Sequence, residues 1–514
     1  MPASTTNLDQ SASSVLPLVA ALSAGVVCLV GLEEFIRVRR KHAAKDGKQG
    51  GRQGARQISA EERRKLRDPP RVPTSMETMW KNLMAGKEPH MHEEWRDKLG
   101  CDIFYLQLPL GQRIYICTDI SCWDTLIGPD GLDKSDKYHA FDLFKENALT
   151  STLSIITRKT AGENWHAIRK ALSPAFSTKT LVSKTPIYHR VIGDFCKAID
   201  GAAEQGESIN MPEWATRFTL DMIGEVAFNY PLHAFDEKRN GEALAVLDAI
   251  EVIFYETRCT VLVPLRPYMF WLSHVRKYYK ALRLFRHVCN KIYRNYLDTP
   301  PDKRDTTSVI AYIHKAPYPS EFEKICDIYN LLWAGHDTTG YTISWGIYHL
   351  STNPQVLKKM QQELDGASFA GQLPTYEELS QLPYFNACIK EILRLTPVAS
   401  NGSFRKTEGG IKVTSRGVDY WIPGGCEIGT PILAGMRDDR IWGDGKVFRP
   451  ERWLEATEEE LKLYNKTFLP FSIPPRSCIG SNLAMIEVRL TMAALFSRFV
   501  FEVTKPPEPY FSIT

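Results

Sequence analysis

The sequence predicts a mainly α-helical protein with small β-sheets, folded as one domain behind an N-terminal transmembrane helix. Three observations lead to this fold class. Apolar residues recur at helical spacing along most of the chain after residue 69. Alternating strand patterns are short and concentrate near residues 101–118 and 397–432. An uncharged, mostly apolar run of 18 residues extends from Val15 to Leu32, about the length of a membrane-spanning helix.

Composition and charge narrow the class of protein. The 514 residues are 43% hydrophobic and 24% charged, so the chain can bury a large core or enclose a cofactor. Eleven cysteines are scattered without a C-x-x-C pair, as is typical of reduced thiols that face the cytosol. The net charge of +4 comes from one basic segment, residues 37–67. Because no aromatic residues are interleaved with these charges, the segment does not predict nucleic-acid binding.

The N-terminal region divides into three parts. No Lys or Arg precedes the apolar run, whereas four follow closely after it, which favours a cytosolic location for the rest of the chain. We therefore expect a short luminal tail (1–14), a transmembrane signal-anchor helix (15–32) and a basic flexible linker (33–68) before the folded domain (69–514). The alternatives are a cleaved signal peptide, which would need a positive segment before the apolar run, and a transit peptide, which would need arginine there.

Helical and strand patterns follow one another in a clear order along the domain. The runs Ile103–Leu108 and Ile114–Cys117 flank Gly111-Gln112 and predict a β-hairpin. Small sheets are expected between residues 397 and 432, and the last helix is expected after Gly480. Amphipathic helices are predicted near residues 163–172, 213–228, 240–256, 272–297, 320–351, 354–365 and 383–395.

One cysteine stands apart from the others by its neighbours. The segment Phe471-Ser472-Ile473-Pro474-Pro475-Arg476-Ser477-Cys478-Ile479-Gly480 places it in a proline-bearing loop just before a predicted helix. The amide groups at the helix start and the nearby Arg476 favour the thiolate form of Cys478. Gly480 leaves space for a flat ligand near the backbone. Considered alone, a buried structural cysteine is the alternative interpretation.

Three further motifs are informative only in combination. Glu391-Ile392-Leu393-Arg394 puts an acid and a base on one helical face, which is also the pattern of an ordinary surface ion pair. Ala334-Gly335-His336-Asp337-Thr338-Thr339 places poor helix formers inside a long apolar helix. This indicates either a packing glycine or a local opening, where a threonine hydroxyl leaves the carbonyl four residues earlier. Trp165 and Arg169 share a face of another helix.

In their order and spacing, these motifs resemble those of the cytochrome P-450 superfamily, from about Pro69 to the end of the chain. The cysteine loop is similar to the family's heme-binding signature, Phe-x-x-Gly-x-Arg-x-Cys-x-Gly, and differs from it at Pro474, where the family has glycine. Phe448-Arg449-Pro450-Glu451-Arg452-Trp453 is similar to the family segment whose arginine completes a Glu-Arg-Arg triad. The resemblance implies the cytochrome P-450 fold, with the heme between the predicted 320–351 helix and the cysteine loop.

The resemblance also implies how oxygen chemistry would be carried out. Cys478 would be the axial ligand of heme b (iron protoporphyrin IX), and a thiolate ligand favours cleavage of the O–O bond. Thr338 would help to activate dioxygen, while Asp337 would deliver protons through water. The heme is expected to be bound non-covalently, because Ala334 stands where fatty-acid ω-hydroxylases of the family often carry the glutamate that bonds to it.

The remaining motif residues would hold the heme or the fold around it. Arg476 would pair with a heme propionate, and Phe471 would pack beside the sulfur. The structural triad would consist of Glu391, Arg394 and Arg452. Heme contacts are expected from Trp165, Arg169, Ala334, Gly335, Arg405, Phe471, Arg476 and Gly480.

The activity implied by the resemblance is that of a heme-thiolate monooxygenase, an oxidoreductase that uses O2 to hydroxylate or epoxidise a lipophilic small molecule. A lipid, sterol, terpenoid or xenobiotic would be the substrate. The sequence has no flavin or iron–sulfur motif, so the expected partner is a membrane-bound NADPH-dependent flavoprotein reductase, with a cytochrome b-type donor as the alternative. The anchor predicts a single-pass protein of the endoplasmic reticulum membrane with its catalytic domain in the cytosol, an organellar membrane being the alternative.

Two regions bear on the substrate pocket. An aromatic-rich stretch at 252–280 resembles the family's access channel, although the same residues would also suit a core. Its aromatic residues include Phe254, Tyr255, Tyr268, Phe270 and Trp271. Relatives continue past the segment that Tyr510–Thr514 resembles with a β-hairpin, so we expect a truncated C-terminal end.

Two other functions stay open at this stage. A heme-thiolate isomerase or dehydratase acting on a lipid hydroperoxide would need neither dioxygen nor a reductase. Such enzymes generally lack an acid–threonine pair like Asp337-Thr338, which argues against this alternative. A catalytically silent membrane heme binder or sensor, from another functional class, would keep the cysteine loop without turnover.

Overall fold

Helices make up most of the structure, a computed structural model that describes residues 60–108, 111–135, 138, 154–158, 160, 164–257, 271–367 and 373–504. The α-helices, in chain order, are Ala60–Lys65 (α1), Met76–Met84 (α2), Glu88–Leu99 (α3), Trp123–Ile127 (α4), Trp165–Leu172 (α5), Thr178–Val182 (α6), Thr185–Glu204 (α7), Met211–Phe228 (α8), Gly241–Thr257 (α9), Ser273–Asp298 (α10), Val309–Lys315 (α11), Glu321–Thr352 (α12), Pro354–Gly366 (α13), Tyr376–Ser380 (α14), Pro383–Leu395 (α15), Ile432–Met436 (α16), Asp439–Trp442 (α17), Arg452–Glu455 (α18), Glu458–Thr467 (α19) and Ser481–Phe496 (α20). Short 3₁₀ turns lie at Ile120–Cys122, Ser173–Phe176 and Pro301–Lys303.

The strands form two small sheets. They are Ile103–Gln107 (β1), Arg113–Cys117 (β2), Ser403–Lys406 (β3), Ile411–Ser415 (β4), Val418–Ile422 (β5) and Glu427–Thr430 (β6). The larger sheet has the order β1-β2-β6-β3, and only β2 and β6 run parallel in it. β4 and β5 form a separate antiparallel pair. The predicted hairpin is confirmed as β1 and β2, with Tyr105 opposite Tyr115, and the predicted small sheets at 397–432 contain β3 to β6.

The longest helix, α12, organises the core. Its 32 residues span about 48 Å at 1.5 Å per residue, and the helix packs against α8, α10, α15 and α20. A Cβ atom at Gly340 would lie 2.9 Å from Thr216 Cγ2 of α8, and one at Gly346 would lie 2.7 Å from Met492 Cε of α20. Glycine at these two positions therefore allows α8 and α20, the helix that follows the cysteine loop, to pack directly against α12.

The predicted helices are confirmed as α5, α8, α9, α10, α12, α13, α15 and α20. Among the helices that were not predicted, α7 is the longest, with 20 residues. Its buried side chains recur three or four residues apart, at Tyr188, Ile192, Phe195 and Ile199, so the helical pattern was present in the sequence.

The predicted flexible linker is wrong for its last part, residues 60–68. α1 carries Glu61 and Glu62 in its first turn and basic residues in its last turn, an arrangement that the helix dipole stabilises. The segment is also tied to β5, because the Arg67 amide donates to Asp419 O and the Trp421 amide donates to Arg67 O, both at 2.9 Å. These residues belong to the folded domain.

Several predicted features lie outside the described residues. They are the luminal tail (1–14), the transmembrane helix (15–32), the linker up to residue 59, the aromatic residues Tyr268 and Phe270, and the C-terminal segment 505–514. Among the helices that the structure does describe, none combines the length and the apolar character needed to cross a bilayer.

Candidate active site

The cysteine loop, residues 471–480, folds back on itself before α20. The Cys478 amide donates to Phe471 O at 2.9 Å. Ser472 adopts a left-handed backbone conformation with φ 60°, which is uncommon for a residue other than glycine, and the Pro474–Pro475 peptide bond is cis. Gly480 is the N-cap of α20. The loop therefore presents Cys478 just before the N-terminus of a largely buried helix, as the sequence predicts.

The Cys478 thiol combines an exposed surface with partial desolvation. It is accessible by surface area, yet burial raises the pKa of its thiol, an effect that the Gly480 amide and Arg169 offset only in part. The cation that favours the thiolate form is Arg169, together with the Gly480 amide at the helix start, and not the predicted Arg476. Coordination to a metal ion would deprotonate the thiol outright.

One face of α12 is also partly accessible. Ala334, Gly335, Asp337 and Thr338 are partly exposed, although the residues around them are buried. Burial raises the pKa of Asp337 to about 7, although its side chain stays partly accessible. The predicted catalytic pair thus lies on an accessible face of a mostly buried helix.

The predicted local opening of this helix is wrong. α12 is continuous through the motif, and the Thr338 hydroxyl donates to Ala334 O at 2.7 Å. Thr342 makes the same bond one turn later, at 2.8 Å to Thr338 O. This bond satisfies a threonine hydroxyl inside an apolar helix, and close packing against α8 offsets the low helix propensity. Thr338 is partly exposed, so its hydroxyl oxygen can still accept a hydrogen bond from a group on its accessible side.

Gly335 and His336 of the same motif contact α8. A Cβ atom at Gly335 would lie 2.8 Å from Ile223 Cδ1, so helix packing explains the glycine, and its contact with heme stays a prediction. The carbonyl of His336 accepts a hydrogen bond from the Thr219 hydroxyl at 2.7 Å. Burial lowers the pKa of His336 to about 4, so its imidazole is neutral at physiological pH.

Three cations gather on the side of the cysteine loop. The pKa of Arg476 is lowered to about 10, first by burial and then by Arg405, and burial, Arg476 and Arg405 lower the pKa of Lys134. Asp133 offsets this repulsion only in part. Arg405 Nε and Nη1 and Arg476 Nη1 are buried donors without an acceptor. Since unpaired buried cations are costly, this cation cluster (Lys134, Arg405 and Arg476) needs an anionic partner, and two carboxylates would suit it.

Trp165 and Arg169 reach this region in a different way from the one predicted. Trp165 Nε1 donates to Ile155 O at 3.1 Å, so its N–H group is already bonded, and its contact with a propionate stays a prediction. Its ring instead supports Arg476, whose guanidinium carbon lies 4.3 Å from the ring centroid, a cation–π contact. Arg169 Nη2 donates to Ser477 O at 2.9 Å, which ties α5 to the cysteine loop.

The predicted triad forms a buried ion network. Arg394 Nε and Nη2 donate to the two carboxylate oxygens of Glu391 at 2.9 and 2.8 Å, and Arg452 Nε donates at 3.0 Å. The Trp453 indole N–H and the Arg449 amide each donate to the same carboxylate at 3.0 Å. The side chains of all three charged residues are 0% exposed. The network holds α15 to the segment around α18.

Sequence reasoning missed Lys134. Its Nζ atom donates to Ile156 O at 2.8 Å and lies 4.0 Å from the centroid of the Tyr138 ring. A single lysine in a loop carries no recognisable pattern, and only the fold brings it to Arg405 and Arg476. No signal in the local sequence could have found it.

Comparison with known proteins gives the family of the chain. The family model described as Cytochrome P450 matches residues 69–512, so the chain belongs to the cytochrome P450 family. It is 27% identical over 360 residues to cytochrome P450 3A12 of Canis lupus familiaris, covering 67% of this chain and 69% of that protein. It is 26% identical over 382 residues to the putative cytochrome P450 CYP13A7 of Caenorhabditis elegans, covering 67% and 71%. The chloroplastic protein LUTEIN DEFICIENT 5 of Arabidopsis thaliana is 27% identical over 365 residues, covering 68% and 60%.

Membership of this family defines the class of enzyme. The protein is a heme-thiolate monooxygenase, an oxidoreductase whose cofactor is heme b with an axial cysteine thiolate. The residues present fit this cofactor, because Cys478 offers an accessible thiol and buried guanidinium groups lack the acceptors that two propionates would supply. When bound, the heme supplies the oxygen activation that no side chain can provide.

Proposed function

We propose that this enzyme hydroxylates or epoxidises a lipophilic small molecule (a lipid, sterol, terpenoid or xenobiotic), with Cys478 as the axial iron ligand and Asp337 and Thr338 as catalytic residues. The observation that carries the proposal is the accessible acid–hydroxyl pair on α12, a mostly buried helix. A carboxyl group with a pKa of about 7 is well placed to pass protons near neutral pH.

The heme-binding side of the proposal rests on the cation cluster. Arg405 and Arg476 offer buried N–H groups without acceptors, and Lys134 adds a third positive charge. Charge-assisted hydrogen bonds to carboxylates are stronger than neutral ones, so the propionates would offset the repulsion among these cations. Arg169, which donates to Ser477 O, keeps the cysteine loop in place.

Aromatic residues beside α12 support an apolar substrate. The centroid of the Phe254 ring lies 4.7 Å from that of the Trp333 ring. Trp333 directly precedes Ala334 in α12. Tyr255 and Trp271 are 45% and 57% exposed, which is high for large aromatic residues and favours contact with an apolar surface. These positions fit a compound that arrives from a bilayer.

The electron donor in this proposal is a membrane-bound NADPH-dependent flavoprotein reductase, or a cytochrome b-type protein, on the cytosolic side of the endoplasmic reticulum membrane. The support comes from the sequence. An apolar run of membrane-spanning length is followed by a basic segment, and the chain has no flavin or iron–sulfur motif of its own.

Turnover of the full chain in membranes tests the proposal. Lipophilic compounds are first selected by their effect on the heme absorption band and are then incubated with the reductase, NADPH and isotopically labelled dioxygen. We expect product that carries one labelled oxygen atom and no product without the reductase. Product formed without reductase or dioxygen would indicate the isomerase or dehydratase instead. No spectral response and no product with any compound would indicate a silent heme binder.

Two threonines on α12 provide a matched pair of variants for the catalytic assignment. Thr338 and Thr342 each donate to the carbonyl four residues earlier, but only Thr338 is partly exposed, whereas Thr342 is 5% exposed. In Thr338→Ala we expect the product formed per dioxygen consumed to fall about 100-fold or more, the effect typical of losing a positioned proton-transfer group. Thr342→Ala should leave this ratio unchanged. Equal ratios in the two variants would contradict the role of Thr338.

A further inference from the structure

A buried turn at residues 154–158 lies between the cation cluster and α12. Ser154, Ile155, Thr157 and Arg158 are each at most 5% exposed. The turn is stabilised internally, because the Ser154 amide donates to Thr157 Oγ1 and the Arg158 amide donates to Ser154 O, both at 2.9 Å. The carbonyl groups of Ile155, Ile156 and Arg158 are left to bond with side chains outside the turn.

Three carbonyl groups of this turn accept hydrogen bonds from the cation cluster and its support. The bonds are Trp165 Nε1 to Ile155 O (3.1 Å), Lys134 Nζ to Ile156 O (2.8 Å) and Arg476 Nη2 to Arg158 O (2.8 Å). Because two of the three cations are held by it, the position of the turn sets the direction of the N–H groups that remain for the propionates.

On its other side, the turn is anchored to α12 by a carboxylate. The Ile155 amide donates to Asp327 Oδ1 at 2.7 Å, and the Tyr318 hydroxyl donates to Asp327 Oδ2. Asp327 is 0% exposed. An ion pair between Arg158 and Glu323 adds a second link to the same helix, one turn earlier.

We propose that Asp327 is a positioning residue of the heme site: it fixes the turn on α12 and thereby holds Trp165, Lys134 and Arg476 where the propionates bind. The proposal rests on the proposed function, since it assumes heme at this site. The carboxylate suits the role because each of its oxygens accepts one donor. Without this carboxylate, the Ile155 amide is a buried donor that lacks an acceptor. Because such a donor is costly in free energy, the turn is expected to move away from α12 until the amide finds another acceptor.

The test measures how fast the heme-loaded full chain loses heme to an excess of apomyoglobin, together with the reduction potential of the bound heme. Asp327→Ala removes the anchor. Asp221→Ala is the matched control, because Asp221 is another buried carboxylate that accepts a backbone amide, that of Ala234 at 2.7 Å, on α8. Burial raises the pKa of both carboxyl groups to about 6, so both are measured well above that pH, where they are charged.

We expect Asp327→Ala to lose heme about 10-fold to 100-fold faster than the unaltered protein, the range for loss of a hydrogen bond to a charged group, and to show a shifted potential. Asp221→Ala should lower thermal stability but leave heme loss and potential unchanged. Asp327→Asn should restore slow heme loss, because the amide oxygen still accepts from Ile155. Heme loss from Asp327→Ala at the rate of Asp221→Ala would overturn the proposal.

A second variant covers the case in which Asp327→Ala does not accumulate. Asp327→Glu keeps the charge, but its extra methylene group displaces the acceptor from the Ile155 amide, so heme loss should again accelerate, and an unchanged rate would overturn the positioning role. Failure of the proposed function is recognised separately, in the unaltered protein. If that protein shows the carbonyl spectrum of a thiolate-bound heme while the variants lose heme no faster, only the positioning role fails.

Discussion

Replacement of Glu391 by glutamine tests the buried ion network most sharply. The carboxylate accepts five hydrogen bonds: two from Arg394, one from Arg452, one from the Trp453 indole and one from the Arg449 amide. A glutamine amide has only one oxygen, and its NH2 group would face donors. The change therefore removes a charge and several acceptors at once, in a region with no access to water.

The size of the effect depends on which guanidinium group loses its counter-charge. Arg452 keeps Asp444, whose carboxylate lies 2.7 Å from Arg452 Nη2. Arg394 has no such reserve, because its other hydrogen bonds go to neutral backbone carbonyl groups, and its side chain is 0% exposed. Leaving one buried charge without a partner costs about 3–5 kcal/mol, and we expect Glu391→Gln to lower the free energy of unfolding by about this amount.

The assay is denaturant unfolding of the heme-loaded protein, followed by circular dichroism, with the loss in free energy taken from the shift in midpoint. Asp444→Asn is the control, because this carboxylate joins the same network at its edge, with a side chain that is 36% exposed. An ion pair at such a site is worth at most about 1 kcal/mol. If Glu391→Gln cost no more than Asp444→Asn, the account of the buried network would be wrong.

Two further predictions concern α12. Gly340→Ala should destabilise the fold by about 1–3 kcal/mol through overpacking, because the added Cβ would lie 3.0 Å from the Thr216 backbone. Gly193→Ala in α7, where nothing lies within 4 Å of the added Cβ atom, should instead stabilise the fold by up to about 1 kcal/mol. Changes of the same sign in the free energy of unfolding of both variants would contradict the packing argument. The pKa of Asp337 is raised to about 7, whereas it is about 3.9 in an unfolded chain. The native protein should therefore lose stability as the pH rises between these values, by up to about 1.4 kcal/mol per pH unit. Asp337→Asn has no such group to titrate. The denaturant midpoint of its unfolding, minus that of the unaltered protein, should therefore increase up to about pH 7 and then level off. A difference that does not change with pH would refute the raised pKa of Asp337.

Much of the fold could be predicted because its signals are local. The spacing of apolar residues indicated eight of the 20 described helices, among them the two longest, α10 and α12, and the Glu391–Arg394 pair is set by one helical turn. The missed helix α7 has the same periodicity, but Gly193 and Gly201 interrupt it. Residues 60–68 look like a linker in isolation, and their attachment to β5 through Arg67 could not be predicted from the segment itself.

The site was less predictable because it depends on contacts between distant segments. Trp165 has the spacing expected for a propionate ligand, yet its indole N–H binds Ile155 O. The sequence around Lys134 carries no pattern that marks it as functional. Only the folded structure brings it close to the turn at 154–158 and to Arg476 of the cysteine loop. The continuous course of α12 through Thr338 follows from packing against α8, which propensity alone does not capture.

The central claim is that the sulfur of Cys478 binds the heme iron, and the absorption spectrum of the reduced, carbon monoxide-treated full chain tests it most directly. We predict the strongly red-shifted Soret band of a thiolate-ligated heme in the unaltered protein and in Cys426→Ser, which alters a cysteine that directly precedes β6. Cys478→Ser should lack this band. Persistence of the band in Cys478→Ser, or its absence from the unaltered heme-loaded protein, would contradict the claim.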